Sequence, residues 1–160
     1  FELLTAVFNR LHLVVQEVHL PAALELSSRY EIYFEQYVKS INVEANLTKK
    51  IAKTQILPVA LRYQAELAQQ VVTLKAAGIE ADTSLLGEVT AQVKALQAAL
   101  KKLEAEAAHE SADVVAEAQF FAKTLLPTML EVRKAADALE GLVDDALWPM
   151  PTYHELLFVK

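Results

Sequence analysis

Residues 83–108 read TSLLGEVTAQVKALQAALKKLEAEAA, and this stretch decides the fold class. Its large apolar residues recur at alternating intervals of three and four, the spacing of a helix face that packs against other helices. They are Leu86, Val89, Val93, Leu96, Leu100 and Leu103. Burying such a set stabilises a fold by very roughly 10 kcal/mol before the cost in conformational entropy is subtracted. A surface charge pair adds only about a few tenths of a kcal/mol. The stretch therefore predicts a long helix whose orientation is set by packing.

Helical spacing of apolar residues continues on both sides of this stretch. Residues 27–77 and 112–147 carry further series with intervals of three and four. The series are Tyr30, Phe34, Tyr37, Ile41, Ala45 and Thr48; Ile56, Ala60, Tyr63, Leu67, Val71 and Leu74; and Val114, Ala118, Phe121, Leu125, Met129, Val132, Ala136, Leu139 and Val143. Gly78 is a helix stop, and Asp82 or Thr83 is a plausible N-cap for the second helix. Three long helices with short connections predict an all-α, up-down-up antiparallel bundle.

Two prolines lie inside the predicted helices, Pro58 in the first and Pro127 in the third. A proline in a helix lacks the N–H donor and clashes with the carbonyl group four residues earlier, which is that of Thr54 for Pro58. A straight helix over residues 22–77 would also be about 84 Å long, too long for this chain to cover as a compact unit. We therefore expect the first helix to be kinked near Pro58 and the third near Pro127.

The composition bounds the domain organisation and the class of protein. The 160 residues include three glycines and are 54% apolar, which favours a single helical domain over residues 1–160, with a short helix and a connection in residues 1–26. The absence of cysteine excludes disulfides and thiolate metal sites. The net charge of −6 argues against nucleic acid as a partner, because binding phosphates needs a basic face. No apolar run approaches the roughly 20 residues of a membrane span, so we expect a soluble, cytoplasmic protein.

Residues 144–158, DDALWPMPTYHELLF, follow the third predicted helix and contain the single tryptophan. Pro149 disfavours a helical conformation at Trp148, so the helix should stop by that residue, and Pro151 should keep the next turn extended. Residues 148–160 are then predicted to be an extended docking tail, because their large apolar side chains need a surface to cover them. The predicted interaction residues are Trp148, Pro149, Pro151, Tyr153 and Phe158. We expect the tail to fold back near the aromatic stripe of Tyr30, Phe34 and Tyr37.

Several short motifs resemble the C-terminal region of type III glutamine synthetases. They are Arg29-Tyr30-Glu31, residues 42–45, the Ile-Leu-Pro step at residues 56–58 and the Trp-Pro-x-Pro-x-Tyr step at residues 148–153, in the order of that family. The resemblance implies a ligase that joins ammonia to glutamate through a glutamyl phosphate. It implies ATP and Mg²⁺ or Mn²⁺ in an upstream catalytic domain, and neighbouring subunits in a dodecamer of two hexameric rings. The start at Phe1 rather than methionine suits a piece excised from such a longer chain.

Nothing in this segment matches the catalytic motifs of that family, so we predict no catalytic, cofactor-binding or metal site here. Glu106 and His109 have the spacing of a dimetal ligand pair, but one copy is too few, and we interpret them as a solvated helix end. Glu44 lies on or beside the apolar stripe, where a carboxylate is costly unless paired. We interpret it as a buried charge paired with Lys39 or Arg62, or as an interface charge. The predicted role is structure and subunit assembly; the alternative is a free-standing helical bundle that acts as a protein-interaction module.

Overall fold

The computed structural model describes residues 6–7, 10, 20–151 and 156–157, without the side chains of residues 20–24. Every regular element in the central described range is helical, so the predicted all-α class is confirmed. The elements are α1 Leu20–Ile51, a π-helical segment π1 Ala52–Ile56, α2 Leu57–Ala76, α3 Ser84–Glu106, α4 Val114–Phe120, a second π-helical segment π2 Phe121–Leu125, and α5 Leu126–Glu140.

The two prolines neither divide nor end their helices. The first long helix runs through α1, π1 and α2 without a break, and the third runs through α4, π2 and α5. Each π-helical segment ends two residues before a proline, and the N–H of Leu57 bonds to the carbonyl oxygen of Ala52, five residues back. The hydroxyl of Thr54 donates to the carbonyl oxygen of Lys50 at 2.7 Å. In each helix, one widened π-helical turn thus accommodates the proline, which has no N–H group to donate.

The connection between α2 and α3 is closed by local hydrogen bonds. Gly78 has a φ of 77°, the left-handed conformation that glycine adopts without strain, and the N–H of Ile79 donates to the carbonyl oxygen of Leu74 at 3.0 Å. At the start of α3, Asp82 accepts a hydrogen bond from the N–H of Ser84 at 2.8 Å. This bond lowers the pKa of Asp82. Asp82 rather than Thr83 therefore supplies the capping oxygen.

Two helix boundaries differ from the sequence prediction. The first long helix begins at Leu20 rather than at residue 27, with Pro21 in its first turn, where a missing N–H costs no helix bond. The third ends at Glu140 rather than at residue 147. Beyond Gly141, the side chain of Asp144 accepts a hydrogen bond from the N–H of Ala146 at 2.9 Å, a local turn that competes with helix. The predicted helix in residues 1–26 lies largely outside the described residues.

Contacts between the helices give their directions. Lys53 pairs with Glu104, and Gln64 pairs with Thr90. The first and second long helices therefore run in opposite directions. Tyr30 shares a surface depression with Asp113, and Ile51 shares a cleft with Met129, so the first and third helices run in the same direction. These pairs support the up-down-up order, which stays a prediction.

The buried core lies where all three long helices meet. Its largest fully buried side chains are Phe121, Leu96, Leu103, Leu125, Leu139, Val89 and Val132. We call the region around this core, residues 30–60 and 89–143, the body. Between residues 61 and 88, all of which the structure describes, no side chain is buried. These residues comprise the second part of α2, the connection and the first turn of α3, and we call them the arm.

Candidate functional site

An open apolar cleft of about 510 Å³ lies between the first long helix, α5 and the tail. Both π-helical segments border it, because π1 contributes part of one wall and the opposite wall begins directly after π2. Its lining residues are Thr48, Ile51, Ala52 and Ile56 from the first helix, Leu126, Met129, Leu130, Val132, Arg133, Ala136, Asp137 and Glu140 from α5, and Trp148, Met150, Pro151 and Leu156 from the tail. The cleft is the concave surface of the described structure that best suits apolar side chains.

The structure describes three of the five predicted tail residues. Trp148 is half-buried and, like Met150, packs against the core cluster, whereas Pro149 and Pro151 are exposed. Tyr153 and Phe158 lie outside the described residues. Trp148 to Pro151 contain no helix, but Leu156 and Leu157 are helical, so the tail is not extended along its whole described length.

The described tail residues 148–151 and 156 lie at the cleft and not at the aromatic stripe, so for this part of the tail the predicted docking place was wrong. Tyr30 and Phe34 make an edge-to-face ring contact at 4.5 Å between centroids, and Tyr30 shares a surface depression with residues 112–115 at the start of the third long helix. Trp148 instead lines the cleft with residues 48–56 of the first helix. The beginning of the third helix lies beside Tyr30, and the tail that follows its end lies beside residues 48–56 of the first helix.

Glu44 is exposed, so the prediction of a buried charge was wrong. Lys39 pairs with Glu35 at 2.9 Å, and Arg62 pairs with Glu66 at 3.5 Å, so both proposed partners are engaged elsewhere. The core contact belongs to the next residue, Ala45, and one step along a helix turns a side chain by about 100°. An interface role for Glu44 stays a prediction. Burial, with the negative charge of Glu44 as a lesser cause, raises the pKa of Tyr37.

The described residues provide no set of ligands for a divalent metal, and the three widely separated glycines form no glycine-rich phosphate loop. Among them no group of three or more His, Cys, Asp or Glu side chains could hold a metal ion. Glu106 is half-buried with an Oε2 atom that has no hydrogen-bond partner in the described structure, while the His109 ring lies against Phe120 at 4.0 Å between centroids. We therefore derive no chemical step from this segment. No helix in the described part of the chain is long and apolar enough to cross a membrane.

Sequence reasoning missed the α5 wall of the cleft. The predicted stripe of the third helix included Met129 and Ala136 as core residues, but in the structure both are half-buried at the cleft. Arg133 and Asp137, an ion pair at 3.5 Å between exposed side chains, lie beside them. The sequence did contain a signal, because the polar residues Arg133 and Asp137 each follow an apolar residue of the predicted stripe by one position. This pattern could not show that the surface beside it would remain uncovered by another helix.

Comparison with known proteins finds one family. The sequence model of the glutamine synthetase C-terminal domain matches residues 5–75. A type-3 glutamine synthetase of Dictyostelium discoideum is 36% identical over 156 residues, which cover 90% of this chain and 21% of that protein. A glutamine synthetase of Bacteroides fragilis (strain YCH46) is 28% identical over 146 residues, 85% of this chain and 20% of that protein. The chain spans about a fifth of the length of these curated relatives. The resemblance predicted from the sequence is confirmed.

Proposed function

We propose that the chain is the C-terminal helical domain of a glutamine synthetase, because its sequence is similar to the model of that domain and to a type-3 glutamine synthetase. The parent enzyme is a cytoplasmic, ATP-dependent ligase that forms glutamine from glutamate and ammonia. ATP and Mg²⁺ or Mn²⁺ bind in its upstream catalytic domain, outside this segment. The observation that carries the proposal is the 36% identity to a type-3 glutamine synthetase across 90% of the chain.

Within that enzyme the segment serves structure and assembly rather than chemistry. The cleft is mainly apolar and carries Trp148, Met129 and Met150, residue types that are enriched where proteins meet. The tail residues Trp148, Pro149, Pro151, Tyr153 and Phe158 contact the upstream catalytic domain or a neighbouring subunit of a dodecamer built from two hexameric rings. Glu44 is an exposed charge at such a contact.

The 160-residue chain should form no glutamine when it is assayed with glutamate, ammonia, ATP and magnesium. The described residues offer neither a set of metal ligands nor a cradle for phosphate, so no step of the ligase reaction has the groups it needs. Measurable turnover that is lost on substituting a residue within this chain would contradict the assignment of the chemistry to the upstream part.

The assembly role is tested in the full-length parent enzyme. Met150→Glu places a charge at the apolar cleft and should reduce the native mass measured by light scattering, while Lys101→Ala, on an exposed face of α3, should leave it unchanged. An unchanged mass for both variants would contradict a role of the cleft in assembly. A reading frame without a catalytic domain upstream of Phe1 would instead favour the free-standing interaction module.

A further inference from the structure

Alternate residues at the start of the tail face the body. Trp148 and Met150 are half-buried and pack against the core cluster, whereas Pro149 and Pro151 are exposed. The prolines have no N–H group to donate to the body. The N–H of Trp148 donates to the carbonyl oxygen of Asp145 at 3.2 Å, a bond within the preceding turn and not to another helix. Residues 148–151 are therefore held to the body by the packing of an indole and a thioether side chain.

Both methionines of the chain lie at the same cleft. The sequence contains two methionines and no cysteine. Met129 lines the cleft from α5 and Met150 lines it from the tail, and the single tryptophan, Trp148, lines it too. Both methionines are half-buried, and the cleft is open to solvent. A small oxidant can therefore enter the place where the chain holds its only sulfur atoms, and no thiol of the chain competes for it.

Hydroperoxides oxidise the thioether sulfur of methionine to a sulfoxide. The sulfur lone pair attacks one peroxide oxygen, an S–O bond forms as the O–O bond breaks, and water leaves when the peroxide is hydrogen peroxide. Sulfur loses two electrons and the peroxide gains them, so the step needs no other reactant. Methionine sulfoxide reductases return the product to the thioether, which makes the modification reversible.

A sulfoxide is polar and does not suit the walls of this cleft. Apolar side chains such as Ile51, Ile56 and Ala136 form most of the lining. The cationic donor on the α5 wall, Arg133, already pairs with Asp137 at 3.5 Å. A polar group that is pressed against apolar walls without a hydrogen-bond partner destabilises the packed state. The sulfoxide of an oxidised tail gains water when the tail leaves the body, so oxidation favours the released tail.

We propose that Met129 and Met150 form a redox-sensitive latch, in which oxidation of both side chains to sulfoxides by a hydroperoxide releases the tail from the body. Release removes Trp148, Met150 and Pro151 from one side of the cleft, so the oxidised chain presents a different surface there. Reduction of the sulfoxides restores the docked tail. The inference goes beyond the proposed function, because it concerns the chain's own tail and not what the cleft binds.

Treatment of the 160-residue chain with hydrogen peroxide tests the latch, with Trp148 as the reporter. Mass spectrometry should show one added oxygen atom on each methionine. The tryptophan emission should then shift to the red, and its quenching constant with acrylamide should rise about twofold or more, because the half-buried indole becomes exposed. Methionine sulfoxide reductases should reverse both changes. Circular dichroism checks that the helix content is unchanged.

The double variant Met129→Leu with Met150→Leu is the matched control, because leucine keeps the apolar volume and has no sulfur to oxidise. Its emission should match that of the untreated chain and should not respond to peroxide. Met150→Gln places a polar side chain of similar length in the tail and should release the tail without peroxide.

Full oxidation of both methionines with unchanged emission would overturn the latch, and so would an equal response to peroxide in the double leucine variant. A tryptophan that is freely quenched in the untreated chain, or that stays protected in Met150→Gln, would also overturn it. Methionines that stay reduced where free methionine is oxidised would show that the cleft is closed to the oxidant, which contradicts the proposal. None of these results bears on the ligase assignment, which the activity of the parent enzyme tests separately.

Discussion

The body and the arm share one sequence pattern but differ in how they bury it. Along α3 the same intervals of three and four continue from Leu86 to Leu103, yet Val89, Val93 and Leu96 are buried and Leu86 is half-buried. The difference arises because α5 covers α3 in the body and does not extend over the arm. Helical spacing therefore predicts which face a residue occupies, whereas burial depends on how many helices meet there.

The largest expected effect separates a leucine of the body from a leucine of the arm. Leu96→Ala should lower the free energy of unfolding by about 2 to 5 kcal/mol, because it leaves a cavity among fully buried side chains. Leu86→Ala removes a half-buried side chain beside solvent and should cost about 1 kcal/mol, since less apolar surface returns to water. Urea unfolding of both variants measures the difference.

Lys101→Ala is the control for these two variants, because its side chain is exposed on α3 and its removal should cost little. Equal losses for Leu96→Ala and Leu86→Ala would contradict the contrast between body and arm. Equal small losses would mean that the α3 seam is not a packed core at all.

Trp148 extends the comparison to the tail, whose residues Trp148, Met150 and Pro151 line the cleft of the body. Trp148→Ala should lower the free energy of unfolding by about 2 kcal/mol, roughly half the cost of truncating a fully buried tryptophan. Trp148 is the sole indole, so its fluorescence reports this site alone. We expect blue-shifted emission with partial protection from quenchers. A red-shifted, freely quenched tryptophan would mean that the tail leaves the body in solution.

Two threonines should respond with opposite signs to the same substitution. The Thr128 hydroxyl is fully buried in the body and has no hydrogen-bond partner in the described structure, so Thr128→Val should raise the free energy of unfolding by about 1 kcal/mol. Thr90 accepts a hydrogen bond from Gln64 at the base of the arm. Thr90→Val should therefore lower the free energy of unfolding by about 0.5 to 1.5 kcal/mol. Thermal melts of the pair decide the point. A loss for Thr128→Val would indicate a partner for its hydroxyl.

The sequence was sufficient for the helices and for their buried faces. Apolar spacing and Gly78 predicted three long helices, and prolines 58 and 127 correctly marked the two places where the α-helix is disturbed. It was insufficient where local and distant interactions compete. The pattern that ran on to Val143 concealed a helix end at Glu140, because Val143 stays buried in a turn rather than in a helix.

The candidate site was less predictable than the fold. Trp148 was identified because an indole beside two prolines must pack on something. Its location was missed, since that depends on how far the third helix runs beside the first, and the turn over residues 141–147 sets that distance. Likewise Glu44 was expected to be buried from its place beside a stripe, but an error of one position round a helix separates core from solvent.

The smallest expected effect concerns the ion pair of Lys53 and Glu104, which joins the first and second helices within the body at 2.7 Å. The hydrogen bond from Lys53, with its positive charge, lowers the pKa of Glu104. A carboxyl group whose pKa is lower in the folded state stabilises the fold above its unfolded pKa, and this contribution is lost as the pH falls through the folded value. Because both side chains are exposed, Lys53→Met should leave the unfolding midpoint at neutral pH nearly unchanged.

The same substitution should raise the pKa of Glu104, measured by carbon NMR of its carboxyl group. Glu104→Gln should remove the part of the stability loss at low pH that is caused by protonation of Glu104. The double variant, Lys53→Met with Glu104→Gln, should show the same pH dependence of stability as either single variant. An unchanged pKa of Glu104 in Lys53→Met would show that the two helices do not hold these groups together in solution. The register of the first and second helices would then rest on the Gln64–Thr90 bond and on apolar packing alone.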